Sequence, residues 1–126
     1  MAKILIVDDY QQIRAAARQI LAKDGHEIWD VPDGVQALAL LEIIQFDLVI
    51  TDVYMAAVDG MELLTRIKQR GHRVPVVVMS GGGFASREEV LALAKECGAV
   101  AILPKPFTPQ QLRETVEPLL KPPPPA

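Results

Sequence analysis

Short apolar runs alternate with amphipathic helical patterns from one end of this sequence to the other, and that alternation sets the class of fold. Ile4–Val7, Glu27–Val31, Leu48–Thr51, Val74–Met79 and Val100–Leu103 read as five strands. Runs as continuously apolar as the first and third suit strands covered on both faces. Pro75 is tolerated only near the start of its strand or at an unpaired position. Between the runs, Gln11–Lys23 places Ile13, Ala16, Ala17, Ile20 and Leu21 at helical spacing, with Gly25 as a stop. Val35, Leu38 and Leu41 open a second helix after Asp33-Gly34. Met61–Arg70 is a third, with Leu63, Leu64 and Ile67 inward and Gly71 beyond its end. The capping box Ser86-Arg87-Glu88-Glu89 starts a fourth helix that runs to about Cys97 and stops at Gly98. Thr108-Pro109-Gln110-Gln111 starts a fifth, with proline at the first helical position. Pro118 is expected to end or kink it. Five strand–helix units imply an α/β fold with a mostly parallel, doubly wound sheet and helices on both faces.

Composition narrows the function classes. A chain of 126 residues, half of them hydrophobic, is one domain with an ordinary core. No apolar run approaches the roughly 20 residues of a membrane-spanning helix. The segment before Asp8-Asp9 is too short for a signal peptide. A single cysteine, Cys97, excludes an internal disulfide and fits a reducing cytoplasm. A net charge of −3 argues against direct nucleic-acid binding. Residues 1–120 read as the domain and 121–126, Lys121-Pro122-Pro123-Pro124-Pro125-Ala126, as an extended proline-rich tail.

In doubly wound sheets the ligand site lies beyond the carboxyl ends of the strands. Those ends carry Asp8-Asp9 after the first strand, Asp52 after the third, Ser80 after the fourth and Lys105 after the fifth. Three converging carboxylates repel unless a cation joins them. A hard divalent ion such as Mg²⁺, with its preference for oxygen ligands, suits them. Lys105 adds a point charge suited to a phosphoryl oxygen, and Ser80 adds a donor.

With these residues in place, the chain resembles the receiver domain of bacterial two-component response regulators. The resemblance rests on Ile4-Leu5-Ile6-Val7-Asp8-Asp9, on Asp52-Val53-Tyr54-Met55 with Asp59-Gly60 downstream, on Val76-Val77-Val78-Met79-Ser80, and on Leu103-Pro104-Lys105-Pro106-Phe107. It covers about residues 3–120. The family implies the strand order 2-1-3-4-5. It implies that Asp52 accepts a phosphoryl group from a phosphohistidine of a sensor histidine kinase or phosphotransfer protein. Asp9 would ligate Mg²⁺ directly, Asp8 mainly through a metal-bound water, and Asp52 and the Tyr54 carbonyl would complete the ligands. Lys105 would pair with Asp52 and then with the phosphoryl group, Ser80 would hydrogen-bond a phosphoryl oxygen, and the Lys105–Pro106 peptide would be cis. Such a chain is a signalling switch that catalyses only its own phosphorylation and dephosphorylation. With no output domain after the fifth helix, it would act through protein contacts in the cytoplasm, as a monomer or as a weak dimer through the face of its fourth and fifth helices.

Three positions depart from the family pattern. Ala56 replaces a proline after Met55. Ile102 stands where a Tyr or Phe usually couples the site to the face of the last two helices, so no ring is present to rotate. Gly81-Gly82-Gly83 makes the loop after the fourth strand costly to order, which predicts a larger rearrangement there on phosphorylation. The alternatives are a degenerate receiver that binds partners without phosphorylation, and a haloacid-dehalogenase-type phosphatase. The latter needs two aspartates separated by one residue, whereas Asp8 and Asp9 are adjacent. For single residues, the plainer readings are a helix cap for Asp8-Asp9, a turn and helix start for Asp59-Gly60, surface positions for His26 and His72, and core packing for Trp29, Met61 and Met79. Tyr54 either shields the phosphorylated carboxylate from water or merely packs.

Overall fold

Strands made of consecutive apolar residues have no face to give to water, and the architecture follows from that requirement. The computed structural model describes residues 2–53, 59–81 and 98–120, together with Glu88, Ala92, Lys95 and Glu96. Its elements are β1 (Lys3–Val7), α1 (Gln11–Lys23), β2 (Glu27–Val31), α2 (Gly34–Ile43), β3 (Leu48–Asp52), α3 (Gly60–Gln69), β4 (Val76–Ser80), β5 (Ala101–Pro104) and α4 (Pro109–Leu120). The five strands form one parallel sheet in the order β2-β1-β3-β4-β5, as the resemblance implies.

Alternate residues of the central strands feed two separate cores. Leu5, Val7, Val49 and Val78 point to one face, under α2 and α3, where they meet Leu38, Leu41, Leu63 and Ile67. Ile4, Ile6, Ile50, Val77 and Met79 point to the other, under α1 and α4, where they meet Ala17, Leu21, Leu112 and Val116. Trp29 is packing, as expected: its ring meets Phe46 edge-on at 5.4 Å. Ile102 pairs with Val78 and packs against the first core.

The helix signals read from the sequence act as capping physics requires. Thr108 Oγ1 accepts from the Gln111 backbone N–H, and Gln111 Oε1 accepts from that of Thr108, a reciprocal box. Gly25 and Gly71 follow α1 and α3 with φ of 90° and 78°, a conformation that costs glycine little. The bounds of β1, β3, α3, β4 and β5 move by one or two residues. β4 starts at Val76, because Pro75 has no N–H for the ladder; its carbonyl still accepts from Val49. The expectation that Pro118 ends α4 is wrong: the helix runs on to Leu120. The missing N–H and the ring of Pro118 act on the Glu114 carbonyl one turn back, and they do not bar Leu119 and Leu120 from helical backbone angles.

His26 and His72 are not plain surface residues either. His26 Nδ1 accepts from the Ala2 N–H at 3.3 Å, and His72 is half-buried, 3.6 Å from Glu42. In the predicted fourth helix, Glu88, Ala92, Lys95 and Glu96 are helical and exposed, on one face by their spacing. The rest of that helix, including Cys97, lies outside the described residues, as do Tyr54, Ala56, Gly82, Gly83 and the tail.

Candidate functional site

Register carries the candidate side chains to one level. Val7 pairs with Thr51, which puts Asp8 in the row of Asp52; Asp52 pairs with Met79, and Ser80 with Pro104. Asp8, Asp52, Ser80 and Lys105 therefore meet at the carboxyl edge of the sheet. Asp8, Asp9 and Asp52 each offer a carboxylate oxygen within 4.8 Å of the others. Asp8 and Asp52 are buried, at 0% and 4% exposure, while Asp9 is exposed. That combination fits a divalent cation: two sequestered hard oxygens and one that opens to solvent, where an ion would keep its waters.

Lys105 reaches back from the end of β5 between the two buried acids. Its Nζ lies 3.1 Å from Asp52 Oδ1 and 3.2 Å from Asp8 Oδ2. Its backbone N–H donates to the Ser80 carbonyl at 2.7 Å, tying the two strand ends together. The Lys105–Pro106 peptide is cis, as the resemblance implies. The ammonium also lies 5.9 Å from the centroid of the exposed Tyr10 ring. A shallow pocket of about 340 Å³, lined by Tyr10, Gln12, Ile13, Lys105 and Pro106, opens beside it.

The electrostatics are those of a crowded, partly dehydrated cluster. Burial pushes the Asp52 carboxyl above its ordinary value; the Lys105 hydrogen bond opposes this and the neighbouring Asp8 charge reinforces it. For Lys105, burial works to lower the pKa, but the hydrogen bond and charge of Asp52, with those of Asp8, prevail and raise it. One Asp52 oxygen is held by the Val53 N–H at 2.9 Å.

The capping reading of Asp8-Asp9 fails. The N-cap of α1 is Tyr10, with no side-chain cap at all. Asp8 Oδ1 instead accepts from the Tyr10 N–H at 2.9 Å, a local turn that holds the acid at the sheet edge. Asp59 does cap its helix, accepting from the Glu62 N–H at 2.8 Å. Gly60 does more than start a turn, and its role went unread. Its N–H donates to the Val53 carbonyl at 2.9 Å, and a Cβ there would be driven into the Asp52 carbonyl oxygen. Only glycine lets α3 begin so close to the strand end that presents Asp52. Tyr10 and Arg14 also went unread, because nothing in the spacing shows that α1 packs beside the ends of β1 and β5.

A parallel sheet in this order, with an acidic pair, a third carboxylate and a bridging lysine at its carboxyl edge, defines a receiver-type α/β domain. The family described as response regulator receiver domain matches residues 4–117, and the chain belongs to it. Receiver domains are the phospho-acceptor modules of two-component systems. The chain is 32% identical to sporulation initiation phosphotransferase F of Bacillus subtilis, over 91% of this chain and 90% of that protein. It is 35% identical to the transcriptional regulatory protein CpxR of Klebsiella pneumoniae, over 96% of this chain but only 50% of that protein. Among solved structures, chemotaxis protein CheY4 of Vibrio cholerae superposes with a TM-score of 0.86 at 32% identity, covering 95% of this chain and 99% of that one. No described helix is long and apolar enough to cross a membrane.

Proposed function

We propose that this chain is a receiver that takes a phosphoryl group onto Asp52 in a Mg²⁺-dependent reaction and signals through protein contacts. Residues 1–120 form the receiver and 121–126 a proline-rich tail. The donor is a phosphohistidine of a sensor histidine kinase or phosphotransfer protein. The observation that carries the reading is the Lys105 ammonium held 3.1 Å from Asp52 and 3.2 Å from Asp8, inside a three-carboxylate cluster. A surface lysine has no reason to be drawn between two buried acids, and the cluster argues against a phosphorylation-independent binding module.

Asp9, Asp8, Asp52 and the Tyr54 carbonyl would hold the metal. When bound, Mg²⁺ neutralises charge on the carboxylates and on the phosphoryl oxygens. An Asp52 oxygen then attacks phosphorus, the O–P bond forms as the donor's P–N bond breaks, and the electron pair leaves with the imidazole. Lys105 moves its charge from the Asp52 carboxylate to an oxygen of the arriving group. Ser80 donates a hydrogen bond to another. The added charge lies beside the Ser80–Lys105 backbone link, so the ends of β4 and β5 are the first elements it biases. Hydrolysis restores the carboxylate, which makes the chain a self-resetting switch and not an enzyme on an outside substrate. The cytoplasm is its compartment, and it acts as a monomer or as a weak dimer through the face of α4 and of the helix that carries Glu88 to Glu96.

The test is intact mass after incubation with acetyl phosphate and Mg²⁺, for wild type and Asp52→Asn, with EDTA as control. One base-labile phosphoryl adduct that needs Mg²⁺ and is lost in the variant is expected. An adduct that persists in Asp52→Asn, or none while Mg²⁺ binding is measured separately, would overturn the reading.

A further inference from the structure

The turn that presents Asp8 and Asp9 has no helix cap to hold it, since α1 starts at an N-cap with no side-chain bond. Besides the Asp8–Tyr10 bond, its support comes from α1 and β2. Arg14, one turn into α1, is largely buried, with 16% of its side chain exposed. Its Nη1 donates to the backbone carbonyl of Asp8 at 2.8 Å, and its Nε donates to Asp30 Oδ2 on β2 at 3.1 Å. The second Asp30 oxygen accepts from Arg18 Nη1 at 2.6 Å, one turn further along α1. The Asp8 carbonyl belongs to the peptide that joins Asp8 to Asp9. Fixing that plane fixes the position of the Asp9 Cα, from which its side chain leaves. Asp9 is exposed, so the fold bears on its carboxylate through the placement of its Cα.

We infer that Arg14 is a positioning residue for the metal site: anchored on Asp30, it clamps the Asp8–Asp9 peptide so that the Asp9 carboxylate faces Asp8 and Asp52. A guanidinium suits this role because its rigid fork reaches both acceptors at once, which an ammonium cannot do. The metal site itself rests on the reading given above. Arg18 separates the clamp from plain salt bridging. It sits on the same helix and pairs with the same carboxylate at shorter range, but it has no bond to the turn.

The experiment is Mg²⁺ titration by calorimetry of wild type, Arg14→Met, Arg14→Lys and Arg18→Met, with backbone amide NMR of each metal-free protein. Supporting groups around metal ligands typically govern affinity about 10- to 100-fold. Arg14→Met is expected to weaken Mg²⁺ binding about tenfold, with Arg14→Lys recovering little, and Arg18→Met to stay within about twofold of wild type. In the metal-free proteins, the Asp9 and Tyr10 amide resonances should shift in Arg14→Met and stay in place in Arg18→Met. Equal Mg²⁺ affinities in Arg14→Met and Arg18→Met, or unmoved Asp9 and Tyr10 resonances in Arg14→Met, would overturn the clamp while leaving the metal reading intact. Absence of Mg²⁺ binding in wild type would overturn both.

Discussion

Replacing Gly60 by alanine sets two physical effects against each other, and the structure says which wins. Alanine is the better helix former, and in an exposed helix the change stabilises by up to about 1 kcal/mol. Gly60 opens α3 with an ordinary helical backbone, so a sequence-level argument predicts that gain. The new methyl, however, would meet the Asp52 carbonyl oxygen, with the Asp52 carbonyl carbon at 2.9 Å and Val53 Cα at 3.0 Å. All three are main-chain atoms, in or next to a fully buried strand, so no flexible side chain can swing aside. Overpacking of this kind costs about 1–3 kcal/mol and forces backbone shifts. A thermal melt should show a net fall in Tm of several degrees, at roughly 4 °C per kcal/mol for a domain of this size. The shift falls on the strand end that carries Asp52. Displacement of a reacting group by about 1 Å can cost about 100-fold. The initial rate of adduct formation with acetyl phosphate, followed by intact mass, should therefore drop by tens of fold or more. A Gly60→Ala protein with wild-type or higher Tm and an unchanged rate would refute the close approach of α3 to β3.

Two further predictions concern the charge cluster. Lys105→Met leaves Asp8 and Asp52 facing each other without their ammonium; breaking a buried pair costs about 3 kcal/mol, so Tm in EDTA should fall, and Mg²⁺ should raise it more in the variant than in wild type. Equal Mg²⁺-induced shifts in the two proteins would count against a shared site for the lysine and the metal. The second concerns pH. The folded Asp52 pKa lies above its ordinary 3.8, so ionising this group costs the folded state free energy. That cost is absent below the ordinary carboxylate range and fully present once pH has risen through the raised value. In metal-free protein, the stability of Asp52→Asn relative to wild type should therefore grow as pH rises from about 4 towards neutrality, as denaturant melts across that range would read. A constant or shrinking difference would contradict the sign.

The elements legible in the sequence were those whose cause is local. Parallel strands covered on both faces must be continuously apolar, so Ile4–Val7 and Leu48–Ile50 announced themselves. The Thr108–Gln111 box and the glycines after α1 and α3 act within a few residues of themselves. The candidate site was legible for a different reason: topology sends every strand end to one edge, so Asp8, Asp52 and Lys105 could be grouped without knowing a distance. What escaped was set by approach between segments far apart in the chain. Gly60 matters because of where β3 ends, and Arg14 because β2 brings Asp30 beside α1. Pro118 misled because a proline acts on the carbonyl one turn before it, and the residues after it can still keep helical backbone angles.

Lys105 meets Asp8 across 97 positions of sequence, by way of a strand at the far edge of the sheet. Closing a loop of that length carries an entropy cost that only the finished sheet offsets. A nascent or partly folded chain with β1 and β3 paired already presents its acids but lacks the cation that completes the cluster. The cluster is thus complete only when the edge strand β5 is in place, so the charge balance of the site depends on the whole sheet.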